Sequence, residues 1–164
     1  MTNGRLFSLE AASVEETCAI AQRLAPLLRR GDCIALAGDL GAGKTEFARA
    51  LIRALAQDAL LEVTSPTFTL MQNYPVMLAG KEAACWHADL YRVENPAELI
   101  ELGLEEAAQE GILVVEWPEI AAHSLPPEQL YVQFEREKTE ARRLKFFGDA
   151  SWQLRLSALY GKTS

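Results

Sequence analysis

The eight residues Gly38-Asp39-Leu40-Gly41-Ala42-Gly43-Lys44-Thr45 constrain this chain more than any other stretch. They fit the spacing G-x-x-x-x-G-K-[ST], in which a glycine-rich turn wraps its backbone N–H groups around phosphate oxygens. The apolar run Cys33-Ile34-Ala35-Leu36-Ala37 precedes it and reads as a buried strand. The segment from Glu46 to Ala56 has a helical pattern, with Phe47, Ala48, Leu51, Ile52 and Leu55 on one side and Arg49 and Arg53 expected to face solvent. Strand, loop and helix are the context in which the motif has chemical meaning. The positive end of the helix adds to the field of the loop. Lys44 is placed to meet the β- and γ-phosphates of a nucleoside triphosphate, and the Thr45 hydroxyl to ligate a bridging Mg²⁺ ion.

Binding alone needs no more than this loop; hydrolysis also needs an acid beside the metal and a group that orients water. Glu116 ends the aliphatic run Ile112-Leu113-Val114-Val115 and is the predicted second metal ligand, delivered to the carboxyl edge of a parallel sheet. Asp89 lies in the alternating segment Cys85-Trp86-His87-Ala88-Asp89-Leu90-Tyr91, which sends Trp86, Ala88 and Leu90 one way and Cys85, His87, Asp89 and Tyr91 the other. It is suited to hold the metal through water or to orient the attacking water. His87 reads as a structural residue. Arg92 reads as a phosphate-neutralising group, a partner of Asp89 or a surface arginine. Thr67, in Ser65-Pro66-Thr67-Phe68, stands 22 residues after Thr45, the remove at which a loop that senses the γ-phosphate is often found. Trp117 reads as a partly buried aromatic.

The rest of the chain alternates buried-type strands with helices, which predicts an α/β sheet, parallel at its centre and extended by antiparallel strands. Ser13 with Glu16 and Asn95 with Glu98 are helix-start signals. Arg5 to Leu9 reads as an edge strand, Phe68 to Tyr74 as a strand, and Asn73-Tyr74-Pro75 and Leu78-Ala79-Gly80-Lys81 as turn or loop. Leu130–Phe134 and Arg143–Phe147 are expected to form a hairpin, and Ser151 to start a closing helix. The 164 residues suggest a single domain over 1–164. No apolar run approaches the ~20 residues that span a bilayer. The amino end does not have the pattern of a secretion signal. Three cysteines without a C-x-x-C pair suit a reducing, cytoplasmic setting and no zinc site. A net charge of −7 disfavours unaided nucleic-acid binding.

Four blocks together resemble the TsaE (YjeE) family, the small ATPase of bacterial tRNA threonylcarbamoyladenosine (t6A) synthesis: Gly38 to Thr45, Ser65 to Phe68, His87-Ala88-Asp89-Leu90-Tyr91-Arg92 and Glu116-Trp117-Pro118-Glu119. The likeness runs from about Ser8 to Phe134. It implies a P-loop NTPase-like three-layer α/β domain with a mixed, centrally parallel sheet flanked by helices. It also implies ATP and Mg²⁺ as ligands and slow hydrolysis alone. The implied partner is a TsaB–TsaD-type complex that modifies adenosine 37, with tRNA met only through that complex and with an ATP cycle that resets it. Residue by residue, it implies Lys44, Asp89 and Glu116 as catalytic and Thr45 and Glu116 as metal ligands. The implied nucleotide contacts are Asp39, Leu40, Gly41, Ala42, Gly43, Lys44, Thr45, Glu46 and Thr67. Two positions depart from the family. Glu46 stands where Thr or Ser is usual, and is expected to turn outward because an inward carboxylate would repel phosphate. Ala88 stands where Phe is common.

Two other readings fit a phosphate-binding loop: a small-molecule kinase and a module that binds ATP without splitting it. A kinase usually carries an arginine-bearing lid, and no obvious insertion supplies one. The basic residues Arg136, Lys138, Arg142, Arg143 and Lys145 alternate with acids and read as a solvated hairpin tip, or as a contact for tRNA or a partner.

Overall fold

The run Cys33–Ala37 is buried throughout, and a strand apolar on both faces must have helices above and below it. In the computed structural model, which describes residues 4–138 and 140–160, this run belongs to β2 (Asp32–Ala37) at the middle of a seven-stranded sheet. The other strands are β1 (Gly4–Ala11), β3 (Met71–Leu78), β4 (Lys81–Asp89), β5 (Gly111–Glu116), β6 (Leu130–Arg136) and β7 (Arg142–Gly148), in the order β1-β7-β6-β2-β5-β4-β3. β6, β2, β5 and β4 run parallel; β3 adds antiparallel to one edge, β7 and β1 to the other.

Two apolar cores lie on opposite faces of this sheet. On one, Ile34, Leu36, Ile112 and Val114 meet Phe47, Leu51 and Ile52 of α2 (Lys44–Ala56) and Ile20 and Leu24 of α1 (Val14–Leu24). On the other, Cys33, Ala35, Leu113 and Val115 meet Leu104, Ala107 and Ala108 of α4 (Leu104–Glu110), which follows α3 (Pro96–Leu102). The result is the mixed, three-layer architecture expected. Alternation along β4 is as read: Cys85 joins the first core, Ala88 and Leu90 the second. Both faces of β4 are covered, so His87 and Asp89 sit on a buried face rather than a wet one.

Local signals act as predicted in several places. Asn95 and Glu98 form a reciprocal capping box at α3. Ser13 accepts from the Glu16 N–H, but Glu16 returns its carboxylate to the Ala12 N–H, one residue earlier than a strict box would place it. Pro26 lies in a 3-10 turn, Ala25–Leu27, that prolongs α1. The closing helices are α5 (Ala150–Arg155) and α6 (Ser157–Tyr160), and the cap of α5 is Asp149, not Ser151.

Three readings need correction. Asn73-Tyr74-Pro75 is not a turn but lies within β3, which starts at Met71 rather than Phe68. Pro75 is tolerated because β3 is an edge strand, where a missing N–H breaks no ladder. Arg49 and Arg53 do not simply face water. Their guanidinium groups donate to the carbonyls of Val63 (2.9 Å) and Leu61 (2.8 Å), tying α2 to the connection after it. Gly111 opens β5 and is required there, because a Cβ at this position would lie 1.8 Å from the Ala84 oxygen.

Candidate functional site

β2 ends at Ala37 and α2 begins at Lys44, so the glycine loop turns between the carboxyl edge of the sheet and the amino end of a helix. Gly38 is held at φ 144° with its backbone against β6; a Cβ there would come within 2.7 Å of the Phe134 oxygen. The Lys44 side chain curls back over the loop, donates to the Gly38 carbonyl and rests 3.4 Å from the centroid of the Trp117 ring. Trp117 reaches that place by a left-handed backbone, φ 61°, directly after β5. Burial pushes the Lys44 ammonium below its usual pKa, against the attraction of Glu116, Glu119, Asp89 and Asp39.

Parallel pairing of β2, β5 and β4 sets the acids. Glu116 and Asp89 are register partners at the carboxyl ends of adjacent strands. Glu116 is 2% exposed and held at both oxygens: Oε1 accepts from the Thr45 hydroxyl at 2.9 Å, and Oε2 lies 2.8 Å from His87 Nε2. His87 is fully buried, so its role is to fix the Glu116 carboxylate. Asp89 Oδ1 accepts from the Tyr91 N–H at 3.0 Å, and Oδ2 faces the Thr67 hydroxyl at 3.4 Å; Thr67 in turn meets Ser65 at 2.8 Å. Burial raises the Asp89 pKa above the usual carboxylate value, and Glu116 raises it further, while the Tyr91 N–H, His87 and Thr67 oppose the shift.

These groups open into a cleft of about 480 Å³ lined by the loop, Thr67, Asp89, Glu116 and Trp117. Lys44, Thr45, Thr67, Asp89 and Glu116 are therefore gathered in one place. Asp39 and Leu40 lie exposed on the outer turn of the loop, and Ala42 is buried beneath it, its N–H bonded to the Asp39 carbonyl. Glu46 turns outward to Arg49 at 3.1 Å. Arg92 does not pair with Asp89; its guanidinium lies over the exposed Phe68 ring at 4.5 Å. Among the described residues no group of three or more His, Cys, Asp and Glu side chains gathers as metal ligands. Beside the loop, the Thr45 hydroxyl and the Glu116 carboxylate present oxygen donors in contact with each other.

Arg142 was read as part of a solvated tip, and its position differs. Its Nε donates to the Ala42 carbonyl at 3.0 Å and Nη2 to the Gly41 carbonyl at 3.2 Å, so β7 braces the glycine loop from outside. Loop carbonyls point away when loop N–H groups point inward, and a guanidinium fork on the outside holds those peptide planes. Nothing in the local sequence signals a contact that spans a hundred residues. Arg143 and Lys145 do behave as surface groups, paired with Glu10 and Glu135.

A parallel-centred sheet, a glycine loop at its carboxyl edge and a lysine curled over that loop define a P-loop NTPase-like α/β protein. The family model described as threonylcarbamoyl adenosine biosynthesis protein TsaE matches residues 11–144, and the chain belongs to the TsaE family. It is 41% identical over 123 residues to the tRNA threonylcarbamoyladenosine biosynthesis protein TsaE of Rickettsia conorii, covering 75% of this chain and 67% of that one. The protein of the same name from Bacillus subtilis is 36% identical over 133 residues, covering 80% and 79%. The crystal structure of Bacillus subtilis YdiB superposes with a TM-score of 0.75 at 26% identity, over 99% of this chain and 97% of that one.

Proposed function

We propose that this chain is a Mg²⁺-dependent subunit that binds and hydrolyses ATP in the threonylcarbamoylation of tRNA adenosine 37, acting with a partner complex of the TsaB–TsaD kind. One observation carries the reading: the Thr45 hydroxyl and the buried Glu116 carboxylate touch at 2.9 Å beside the phosphate loop, with Asp89 in register next to them.

These donors fit Mg²⁺, which favours hard oxygens and takes few ligands from the protein itself. Thr45 and Glu116 would hold the ion, and His87 keeps Glu116 oriented from behind. When bound, the ion neutralises charge on the β- and γ-phosphate oxygens. Lys44 is already desolvated over the loop, so it supplies a strong local charge once it exchanges Gly38 and Trp117 for phosphate. Asp89 has a raised affinity for protons and a hydroxyl neighbour in Thr67, which suits it to orient a water molecule and accept its proton. The negative charge of the chain leaves tRNA contact to the partner complex.

The test is single-turnover phosphate release from ATP with Mg²⁺ titrated, in the presence and absence of the partner pair. Mg²⁺-dependent release that partners accelerate is the expected result. Tight ATP binding with no release under either condition would leave a nucleotide-gated binding module, and phosphate appearing on a metabolite would mark a kinase.

A further inference from the structure

α3 is a helix with no fully buried residue. Leu99 and Leu102, three apart, lean half-buried on the second core. The helical turn carries Ile100 off that face, and its side chain is 80% exposed. Seven residues alone do not hold a helix in water. This one is fixed chiefly by its ends: the reciprocal Asn95–Glu98 box and Pro96 at the start, and Gly103 in the left-handed conformation, φ 66°, at the finish. End chemistry thus presents a large apolar side chain on a rigid mount that the core does not use. Order that exists before contact lowers the entropic cost of meeting a partner.

The surrounding charge states the chemistry of that partner. From Val93 to Glu135 the chain has ten glutamates and not one lysine, arginine or aspartate. With a net charge of −7 overall, the rest of the chain is net positive. Folding does not undo this segregation around α3 and α4. Glu94, Glu101, Glu105 and Glu106 are exposed, and among the described residues none of them forms an ion pair. Acids elsewhere on the surface do: Glu46 meets Arg49 and Glu10 meets Arg143. Among the described residues nothing from α3 or α4 lines the nucleotide cleft, so this charge has no part in holding phosphate. Unpaired acids flanking an apolar side chain repel nucleic acid and favour a surface of opposite sign.

We propose that Ile100 and the flanking glutamates form a docking face for a basic protein surface, with Ile100 entering an apolar pocket rimmed by lysine or arginine on the partner complex. This rests on the partner reading above and adds the face by which that partner is held, apart from the nucleotide cleft.

The test measures binding of this chain to a purified TsaB–TsaD-type pair by calorimetry, with ATP and Mg²⁺ present, at low and high salt. Wild type is compared with Ile100→Ser and with the double variant Glu101→Lys, Glu105→Lys; all three side chains are exposed, and thermal melts check the fold. The expected result is affinity for the pair weakened about tenfold by Ile100→Ser at either salt concentration. The double reversal should weaken it about tenfold or more at low salt and less at high salt. ATP affinity should be unchanged in both variants. Wild-type affinity for the pair in both variants would overturn the docking face, and so would a parallel loss of ATP binding. Self-association of the wild-type chain that Ile100→Ser abolishes, with binding to the pair intact, would overturn it in favour of a second copy as the occupant. A wild-type chain that ignores the pair altogether would remove the partner reading of the previous subsection as well, a result distinct from binding that the variants retain.

Discussion

Asp89 and Glu116 are register neighbours with different surroundings, and the surroundings divide their roles. Glu116 has a hydroxyl on one oxygen and an imidazole on the other, which keeps a buried carboxylate satisfied. Asp89 has one backbone N–H and a long contact to Thr67, too little to offset its burial, and its pKa is raised. The sign follows directly. A folded-state pKa above the unfolded value gives stability that is fully present below the unfolded pKa and is lost as pH rises through the folded one. In the metal- and nucleotide-free protein, Asp89→Asn should therefore raise Tm at pH 7.5, by about 2–4 °C. The gain should shrink as pH falls through the raised folded pKa, where the native Asp89 takes up its proton. Phosphate release by the same variant should be lost at both ends of this range. Melting curves and single-turnover assays across pH check both parts. Glu116 was legible from its place at the end of an aliphatic run, and Asp89 from the alternation of its segment. The role of His87 was not, because a histidine facing inward from a strand acquires meaning only from the strand beside it.

At the scale of the element, the hairpin β6–β7 and the close-packed pair β4–β5 hold the loop and the acids in place. Arg142 grips the outward carbonyls of Gly41 and Ala42. Arg142→Ala should weaken ATP binding about tenfold, since charged hydrogen bonds are the stronger ones. Arg142→Lys should recover only part of the loss, because an ammonium cannot fork across two carbonyls. Tm should move little in either variant. β4 and β5 meet at Gly111, where a side chain would collide with the Ala84 oxygen at 1.8 Å. Gly111→Ala must spread the strands that carry Asp89 and Glu116. It should cost more than about 4 kcal/mol, visible as a collapse of the urea midpoint or failure to fold. Periodicity and capping marked the elements, but edge position overruled a local signal at Pro75, where an Asn-Tyr-Pro run with turn character extends as strand because no neighbour needs the missing N–H.

Across the whole molecule the two ends of β2 serve different purposes. Its carboxyl end feeds the phosphate loop, while its amino end is anchored by Arg155 of α5, which donates to both Asp32 oxygens at 2.8 and 3.0 Å and to the Leu27 carbonyl. Each side chain of that pair is 11% exposed. Arg155→Ala leaves Asp32 nearly buried without its cation and should cost about 3 kcal/mol by urea denaturation. ATP affinity should remain unchanged, since the site lies at the far end of the strand. The glycine loop, the acid-terminated strands and the alternation of elements were written in local order. Backbone sterics, hydrophobic period and capping chemistry act over a few residues, so one chain suffices to read them. The brace of Arg142, the lock of Arg155 and the pairing of His87 with Glu116 join residues 29 to 123 positions apart. Such contacts depend on strand order and crossover path, which no local pattern encodes, and they came into existence only when the sheet closed.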